Sequence, residues 1–514
     1  MLAAENGALP GAKVGGMGDV LRDLPRALVR RGHRVTVLTP SYGYLARLPG
    51  ANALGSVSAR FAGTTETCRW LALPSDMDGL EFQLLDHPRF APFGSERVYH
   101  DDGPHAPFAT DASKFAYFCA AAAALLAGQK QRPDIVHLHD WHMGLYCALR
   151  SFGPQSAKLR PIRTVFTIHN LAIQGIRPLA GYSSSLAEWF PGHHFPTDVV
   201  ADPRHADCVN PLAVAIRLAD AVSTVSPSYA REILDTADAS QGRGGGEGLE
   251  TLLVARQRAG TLTGILNGCE YPARRAPRTD WRKLRALIGR TLVDWIAAGS
   301  AVDSAAWLAE KRLASLPATR PALLATSVGR VTGQKLGLMR HALAPGETAL
   351  DRVLVTLGRG HLIVLGSGEP EYEQFLQQAM VRHPNLLFLK GYSDALSEAL
   401  YASGDLFLMP SVFEPCGIGQ MLAMRAGQPC VVHAVGGLRD TVDATNGFPF
   451  GGATPAEQAR NFGATVASAV DEKRKAPARW RARVQAARRA RFSWDESAAL
   501  YLSQVYGFRA DAAR

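Results

Sequence analysis

Two α/β domains, each a doubly wound parallel sheet, are predicted by three features of this sequence. Short β-branched or apolar runs alternate with helical patterns, the signature of strands joined in parallel through helices. The runs fall into two series, parted by a stretch rich in glycine, proline and arginine. Each run ends in polar residues, and in open α/β sheets ligands bind outside the carboxyl ends of the strands. The two domains are therefore expected to face one another across a cleft.

The first series comprises RVTVLTP (Arg34 to Pro40), DIVHLHD (Asp134 to Asp140), RTVFTIHN (Arg163 to Asn170) and AVSTVS (Ala221 to Ser226). QGRGGGEGLE (Gln241 to Glu250) lacks packing side chains and reads as a mobile loop beside the cleft. TLTGILNGCE supplies one more strand, and proline and basic residues follow from Pro272 to Pro277. Residues 1–262 are assigned to the first domain and 263–490 to the second. The second series is LLATSVGR (Leu323 to Arg330), HLIVLGSGE (His361 to Glu369), NLLFLKG (Asn385 to Gly391), LFLMPS (Leu406 to Ser411) and CVVHAVGG (Cys430 to Gly437).

Composition excludes several function classes. With 514 residues, 47% hydrophobic and 20% charged, the chain can bury large cores. Its apolar runs, the Ala-rich one from Cys119 to Ala127 included, fall short of the ~18 to 20 residues that a membrane span needs, so no membrane partner is predicted. The opening residues lack the basic-then-apolar pattern of a signal peptide, and cytoplasmic residence is expected. Seven scattered cysteines, never spaced as CxxC, argue against a disulfide framework and against zinc. The net charge of +10 is concentrated between Glu472 and Arg491. That stretch reads as one solvated basic helix; with Trp480 its one aromatic before Phe492, it carries no nucleic-acid signature. Nothing in the sequence specifies an oligomeric state.

Five motifs carry chemistry. KVGGMGDV (Lys13 to Val20) sets Gly15 and Gly16 before a helical pattern, where backbone amides bind anions and Lys13 adds a mobile charge. HLHDWHMG puts Asp140 at a strand end among three histidines; His137 and His139 share one strand without an acidic or cysteine partner, which disfavours a metal site. FTIHNLAIQG places His169 and Asn170 directly after a strand. VGRVTGQK offers Arg330 and Lys335, a bidentate fork and a point charge suited to a diphosphate. VFEPCGIGQMLAMRAG brings Glu414 after a strand, followed by Cys416, Gly417, Ile418 and Gly419 opening a helix.

In order along the chain, KVGGM, HDWH, TIHN, GEGLE, GILNG, QK, GSGE, EPCG, GGLRDTV and the terminal FSWDESAALYL resemble the bacterial and plant glycogen/starch synthases that use ADP-glucose. The resemblance implies a GT-B fold, with residues 491–514 forming a helix that packs back on the first domain. It implies transfer of glucose from ADP-glucose to the non-reducing end of an α-1,4-glucan such as glycogen, with retention of configuration and without a cofactor or metal. By position, Lys13, Gly15 and Gly16 would approach the diphosphate and the acceptor side. Asp140 and His169 would bind the transferred glucose, and Arg330 and Lys335 would stabilise departing ADP. Glu414 would hold glucose hydroxyls, with Cys416 and the Gly417 to Gly419 backbone near sugar and phosphate. Asn267 and Tyr392 are similar to positions lining the donor cleft.

The chain departs from the family pattern in places. Only MLAAE stands where a full first strand normally lies, and a weakened first domain is expected from that. VGRVTGQKLG replaces SRLTPQKG, CEYPARRAP follows GILNG where aspartate and WNP are usual, CGIGQ stands for CGLTQ, and KVGGM for KTGGL. The motifs leave open a related GT-B transferase with another nucleotide-sugar or acceptor, and a catalytically impaired glucan-binding homologue. Retention of Lys13, Asp140, His169, Arg330, Lys335 and Glu414 argues against the latter.

Overall fold

Strands that are apolar along their whole length have to be covered on both faces, as in parallel sheets. The computed structural model, which describes residues 1–238, 244–272, 280–298 and 304–508, builds the predicted runs in that way. The chain divides into two units: Met1–Ala237 with Gly244–Gly268 and the residues from Trp494 on, and a second formed essentially by Cys269–Ser493.

Besides a short antiparallel pair, Arg177–Pro178 with Cys208–Val209, the first unit has the strands β1 (Val35–Pro40), β2 (Asn52–Phe61), β3 (Thr64–Leu73), β4 (Leu80–Asp86), β5 (Ile135–His139), β6 (Arg163–Ile168), β7 (Ala221–Thr224) and β8 (Leu262–Gly264). They form two four-stranded sheets, ordered β2-β3-β4-β1 and β5-β6-β7-β8. Leu2 lies between them, bridging in parallel to Leu38 on β1 and to Leu138 on β5. Its N–H donates to the His137 carbonyl at 2.8 Å, and its own carbonyl accepts from the His139 N–H at 3.1 Å. The short MLAAE segment thus fills the central position of the sheet and is paired on both sides.

The hairpin of β2 and β3 has no counterpart in the sequence reading. Its turn, Ala62 (φ +49°) and Gly63 (φ +80°), has the left-handed pair that a tight two-residue hairpin needs. Ala-Gly is a poor sequence signal for it, and much of β2 is exposed. Helices α1 (Gly16–Arg30), α2 (Ala109–Gly128), α3 (Gly144–Phe152) and α4 (Glu250–Arg258) belong to the same unit. Gly244 to Glu250, expected to be mobile, is held: the Gly246 N–H donates to the Asp235 carbonyl at 2.8 Å, and Leu249 and Leu253 are fully buried. Gln241–Arg243 of that segment, and residues 273–277 of the proline and basic stretch, lie outside the described residues.

The second unit has one six-stranded, all-parallel sheet. Its strands are β9 (Leu324–Val328), β10 (His361–Gly366), β11 (Leu386–Lys390), β12 (Leu406–Met409), β13 (Cys430–His433) and β14 (Phe448–Phe450), in the order β11-β10-β9-β12-β13-β14. Helices α5 (Gly333–Arg340), α6 (Gly419–Ala426), α7 (Pro455–Lys475) and α8 (Pro477–Arg489) follow. Helix α9 (Trp494–Leu500) and a π-helical turn, Tyr501–Tyr506, rejoin the first unit. There the Tyr506 hydroxyl meets His137 Nδ1 at 2.8 Å and Arg163 donates to the Val505 carbonyl at 2.9 Å.

The basic stretch departs from its sequence reading as one solvated helix. It breaks at Ala476–Pro477 between α7 and α8, because proline lacks the N–H that would continue α7. Arg483 is buried at 6% exposure. It grips Glu472 through two bonds of 2.9 Å, donates to the Ala444 and Gly447 carbonyls at 2.5 and 2.6 Å, and lies 4.0 Å from the Phe448 ring centroid. Arg479 shares Glu472 from the surface at 3.0 Å. Arg483→Ala leaves two carbonyls without their donor and Glu472 with its surface partner Arg479 alone, and should cost on the order of 3 kcal/mol in urea unfolding, whereas Arg479→Ala should cost less than about 1 kcal/mol. Equal losses would refute the distinction.

Candidate active site

In the first unit the predicted polar groups sit at the carboxyl ends of parallel strands: Asp140 after β5, His169 after β6 and Asn267 after β8. Asp140 adopts φ +61°, ψ 179°, a conformation almost confined to glycine that stores about 1–3 kcal/mol. Its Oδ1 accepts the His169 N–H at 3.1 Å. Burial nevertheless pushes its carboxyl up to about 7, because the backbone bonds from His169 and Asn170 only partly offset the loss of water. His169 Nε2 lies 3.0 Å from His139 Nδ1, so one ring donates and the other accepts. Desolvation lowers His169 to about 3 and holds His137, His139 and His142 well below the ordinary range, so all four rings are neutral at pH 7. A relay runs from His137 Nε2 to Thr167 Oγ1 at 2.6 Å and on to Ser223 Oγ at 2.6 Å. Buried Asn267 keeps an Oδ1 with no partner among the described residues.

The loop before α1 departs from its sequence reading. Glu5 Oε2 accepts the amides of Val14, Gly15 and Gly18 at 2.9, 2.7 and 3.2 Å, and Glu5 Oε1 accepts the Tyr99 hydroxyl at 3.0 Å. The anion expected on the Gly15 amide is therefore supplied by the chain itself. A Cβ at Gly16 would meet open space, and Lys13 is held by Asp19 at 2.8 Å. Glu5 and Tyr99 escaped the sequence reading. An acid set in an apolar opening segment was the available signal for Glu5; Tyr99, on a long irregular stretch, gave none.

In the second unit Arg330 follows β9, Tyr392 follows β11 and Glu414 follows β12. Lys335, near the start of α5, is ion-paired with Glu414, whose Oε2 also accepts the Ser411 hydroxyl at 2.9 Å. Glu414 is 5% exposed, and its carbonyl accepts the Gly437 N–H at 3.1 Å. Arg330 is exposed and without a partner among the described residues. Its loop is zipped to GSGE: Val331 N–H donates to Ser367 at 3.0 Å, and Glu369 N–H to Val331 at 2.7 Å. A Cβ on Gly366 would overlap the Gly329 carbonyl, which is why that motif requires glycine. Cys416 is buried, and Gly417 at φ +76° turns the chain into α6. The N-cap of α6, Ile418, supplies no side-chain cap, which leaves the amides at Gly419 and beyond to meet an anion. Tyr392 is exposed and donates to Asp394.

Residues 1–255 match the model of the starch synthase catalytic domain, and residues 348–468 that of the glycosyl transferases group 1. A glycogen synthase of Anaeromyxobacter sp. (strain Fw109-5) is 38% identical over 504 residues, 96% of each chain. The chain belongs to the glycogen synthase family. A second glycogen synthase, of Cellvibrio japonicus (strain Ueda107), is 33% identical over 98% of both chains. The solved catalytic domain of starch synthase IV from Arabidopsis thaliana, bound to ADP and acarbose, superposes with a TM-score of 0.74 at 28% identity, covering 98% of this chain and 97% of that one. As a member of the glycogen synthase family the chain is a glucosyltransferase, and its two Rossmann-like units are those of the GT-B fold. No described helix is long and apolar enough to cross a membrane.

Asp140 and His169 give this glycogen synthase homologue opposite pH signatures. Asp140, raised when folded, costs stability as pH rises from about 4 to about 7, by up to ~4 kcal/mol; His169, lowered, costs stability as pH falls from about 6.5 towards 3. Asp140→Asn should therefore be increasingly stabilised over wild type between pH 4 and 8, and His169→Gln should flatten the loss on acidification. Asp140→Gly should be more stable than Asp140→Ala by about 1–3 kcal/mol, the stored strain. Parallel pH profiles of wild type and Asp140→Asn in denaturant titrations would contradict the assignment.

Proposed function

We propose that this member of the glycogen synthase family transfers glucose from ADP-glucose to the non-reducing end of an α-1,4-glucan, with retention of configuration, in the cytoplasm. The observation that carries the reading is the charge arrangement of the second unit. Lys335 is held on buried Glu414, Arg330 stands open, and α6 begins without a cap. Such a site suits a ligand that is a diphosphate at one end and a polyol at the other.

The chemistry sets the demands. The acceptor 4-hydroxyl attacks the anomeric carbon on the face from which ADP departs. The bond from that carbon to the phosphate oxygen breaks, and this oxygen takes the acceptor's proton. Charge accumulates on the diphosphate, so positioned cations and helix amides lower the barrier most. Arg330 offers a fork and Lys335 a point charge to that oxygen. The backbone of Gly417, Ile418 and Gly419 receives phosphate, with Cys416 beside the sugar. Glu414, fixed by Lys335 and Ser411, accepts hydrogen bonds from glucose hydroxyls, and Tyr392 lines the nucleoside side. From the first unit, Asp140, His169 and the unsatisfied Oδ1 of Asn267 address the transferred glucose. Lys13 and the open space at Gly16 serve the diphosphate and the acceptor side, while Gly15 keeps the loop on Glu5. Neutral His169 donates or accepts without adding charge.

Lys335→Ala and Arg330→Ala should each lower kcat by about 10²- to 10³-fold, since one charged contact to a leaving group is worth a few kcal/mol. Glu414→Gln should slow transfer while ADP affinity, read by calorimetry, changes less than about tenfold. The reading as a whole is tested by following labelled glucose from ADP-glucose, and separately UDP-glucose, into glycogen with EDTA present. Elongation from ADP-glucose despite the chelator is expected. Folded protein that elongates from neither donor would overturn it.

A further inference from the structure

Apart from the strand-end loops, the second unit contains a cavity of about 570 Å³ whose lining includes Arg425, Arg481, Arg488, Arg491 and Tyr271. It lies where α8 packs on the carboxyl end of α6, eight residues or about 12 Å of helix from the Gly419 amides. Two carboxylates also line it, and both are engaged. Asp405 is held by Arg320 and Lys473 at 2.8 Å each, and Glu398 by Arg425 at 3.2 Å. Arg481 is exposed and has no partner among the described residues. Arg491 donates to the carbonyls of Arg488 and Ala490, at 2.6 and 3.0 Å, and stacks 4.7 Å from the Tyr271 centroid. Tyr271 is fixed in turn by the Phe492 N–H at 3.0 Å. Arg488 lies against Gly427, so closely that a Cβ there would overlap its guanidinium. It thereby covers the electronegative end of α6, which would otherwise repel an anion.

We infer that this cavity is a second anion site, taking a small phosphorylated metabolite. The space suits a sugar phosphate, and arginine forks match phosphate oxygens two at a time. Stacking of Arg491 on Tyr271 orients one fork before any ligand arrives, which lowers the entropy lost on binding. The four arginines line one compact volume, where a nucleic-acid strand would need an extended track. The site belongs to none of the glucosyl-transfer chemistry proposed above.

The test uses the full-length protein and fructose 1,6-bisphosphate as the probe in isothermal calorimetry. Saturable binding is expected, weakened about tenfold or more in Arg481→Gln/Arg491→Gln. Lys335→Gln, which disables the proposed donor site, should bind the probe as wild type does. The single exposed change Arg481→Glu, with melting temperature as the check on folding, should also weaken binding. Absence of saturable heat with wild type, loss of binding in Lys335→Gln, unchanged binding in the arginine variants, or displacement of the probe by a tighter-binding single-stranded oligonucleotide would each overturn the inference.

Discussion

The backbone pairing of Leu2 is the constraint on which the first unit rests. Without it β1 and β5 would each present an unpaired sheet edge, and an unpaired row of amides and carbonyls in a buried place is costly. With it, two four-stranded sheets become one continuous surface. The chain leaving that bridge arrives at Glu5, whose carboxylate gathers three amides at the start of α1. One short segment therefore joins the sheet and shapes the Lys13 loop.

Both units place polar groups at the carboxyl edge of parallel strands, but they solve different electrostatic problems. The first is desolvated: it holds a strained aspartate with a raised affinity for its proton and a group of neutral histidines. The second is charged: it pairs a lysine with a glutamate and leaves an arginine open.

The parallel strands were legible because burial on both faces writes an unbroken apolar run, as in CVV at Cys430 to Val432 or LFLM at Leu406 to Met409. The β2–β3 hairpin was not, since one side faces water and its turn uses Ala62 where asparagine would have signalled it. Arg330 and Glu414 were legible as charges in the loops that follow strands, and Lys335 as a second cation five residues beyond Arg330. The left-handed backbone of Asp140 was invisible, because any residue can be forced there by its surroundings. Arg483 was misread for the same kind of reason. Its partners Ala444 and Gly447 lie 39 and 36 residues away in the chain, and no local pattern marks one arginine of a basic run as buried.

The return of α9 and the Tyr501–Tyr506 turn to the first unit bears on the order of assembly during synthesis. Trp494 and Tyr501 are buried there, Ser497 donates to the Leu266 carbonyl at 2.6 Å, and Tyr506 reaches the His137 ring on β5. These groups leave the ribosome after the whole of the second unit, although β5 leaves it early. Domains fold largely as they emerge, so the second unit has its whole sequence in hand before the first does. The unit translated first is completed last, and until then the nascent chain carries a sheet whose His137 lacks its tyrosine partner.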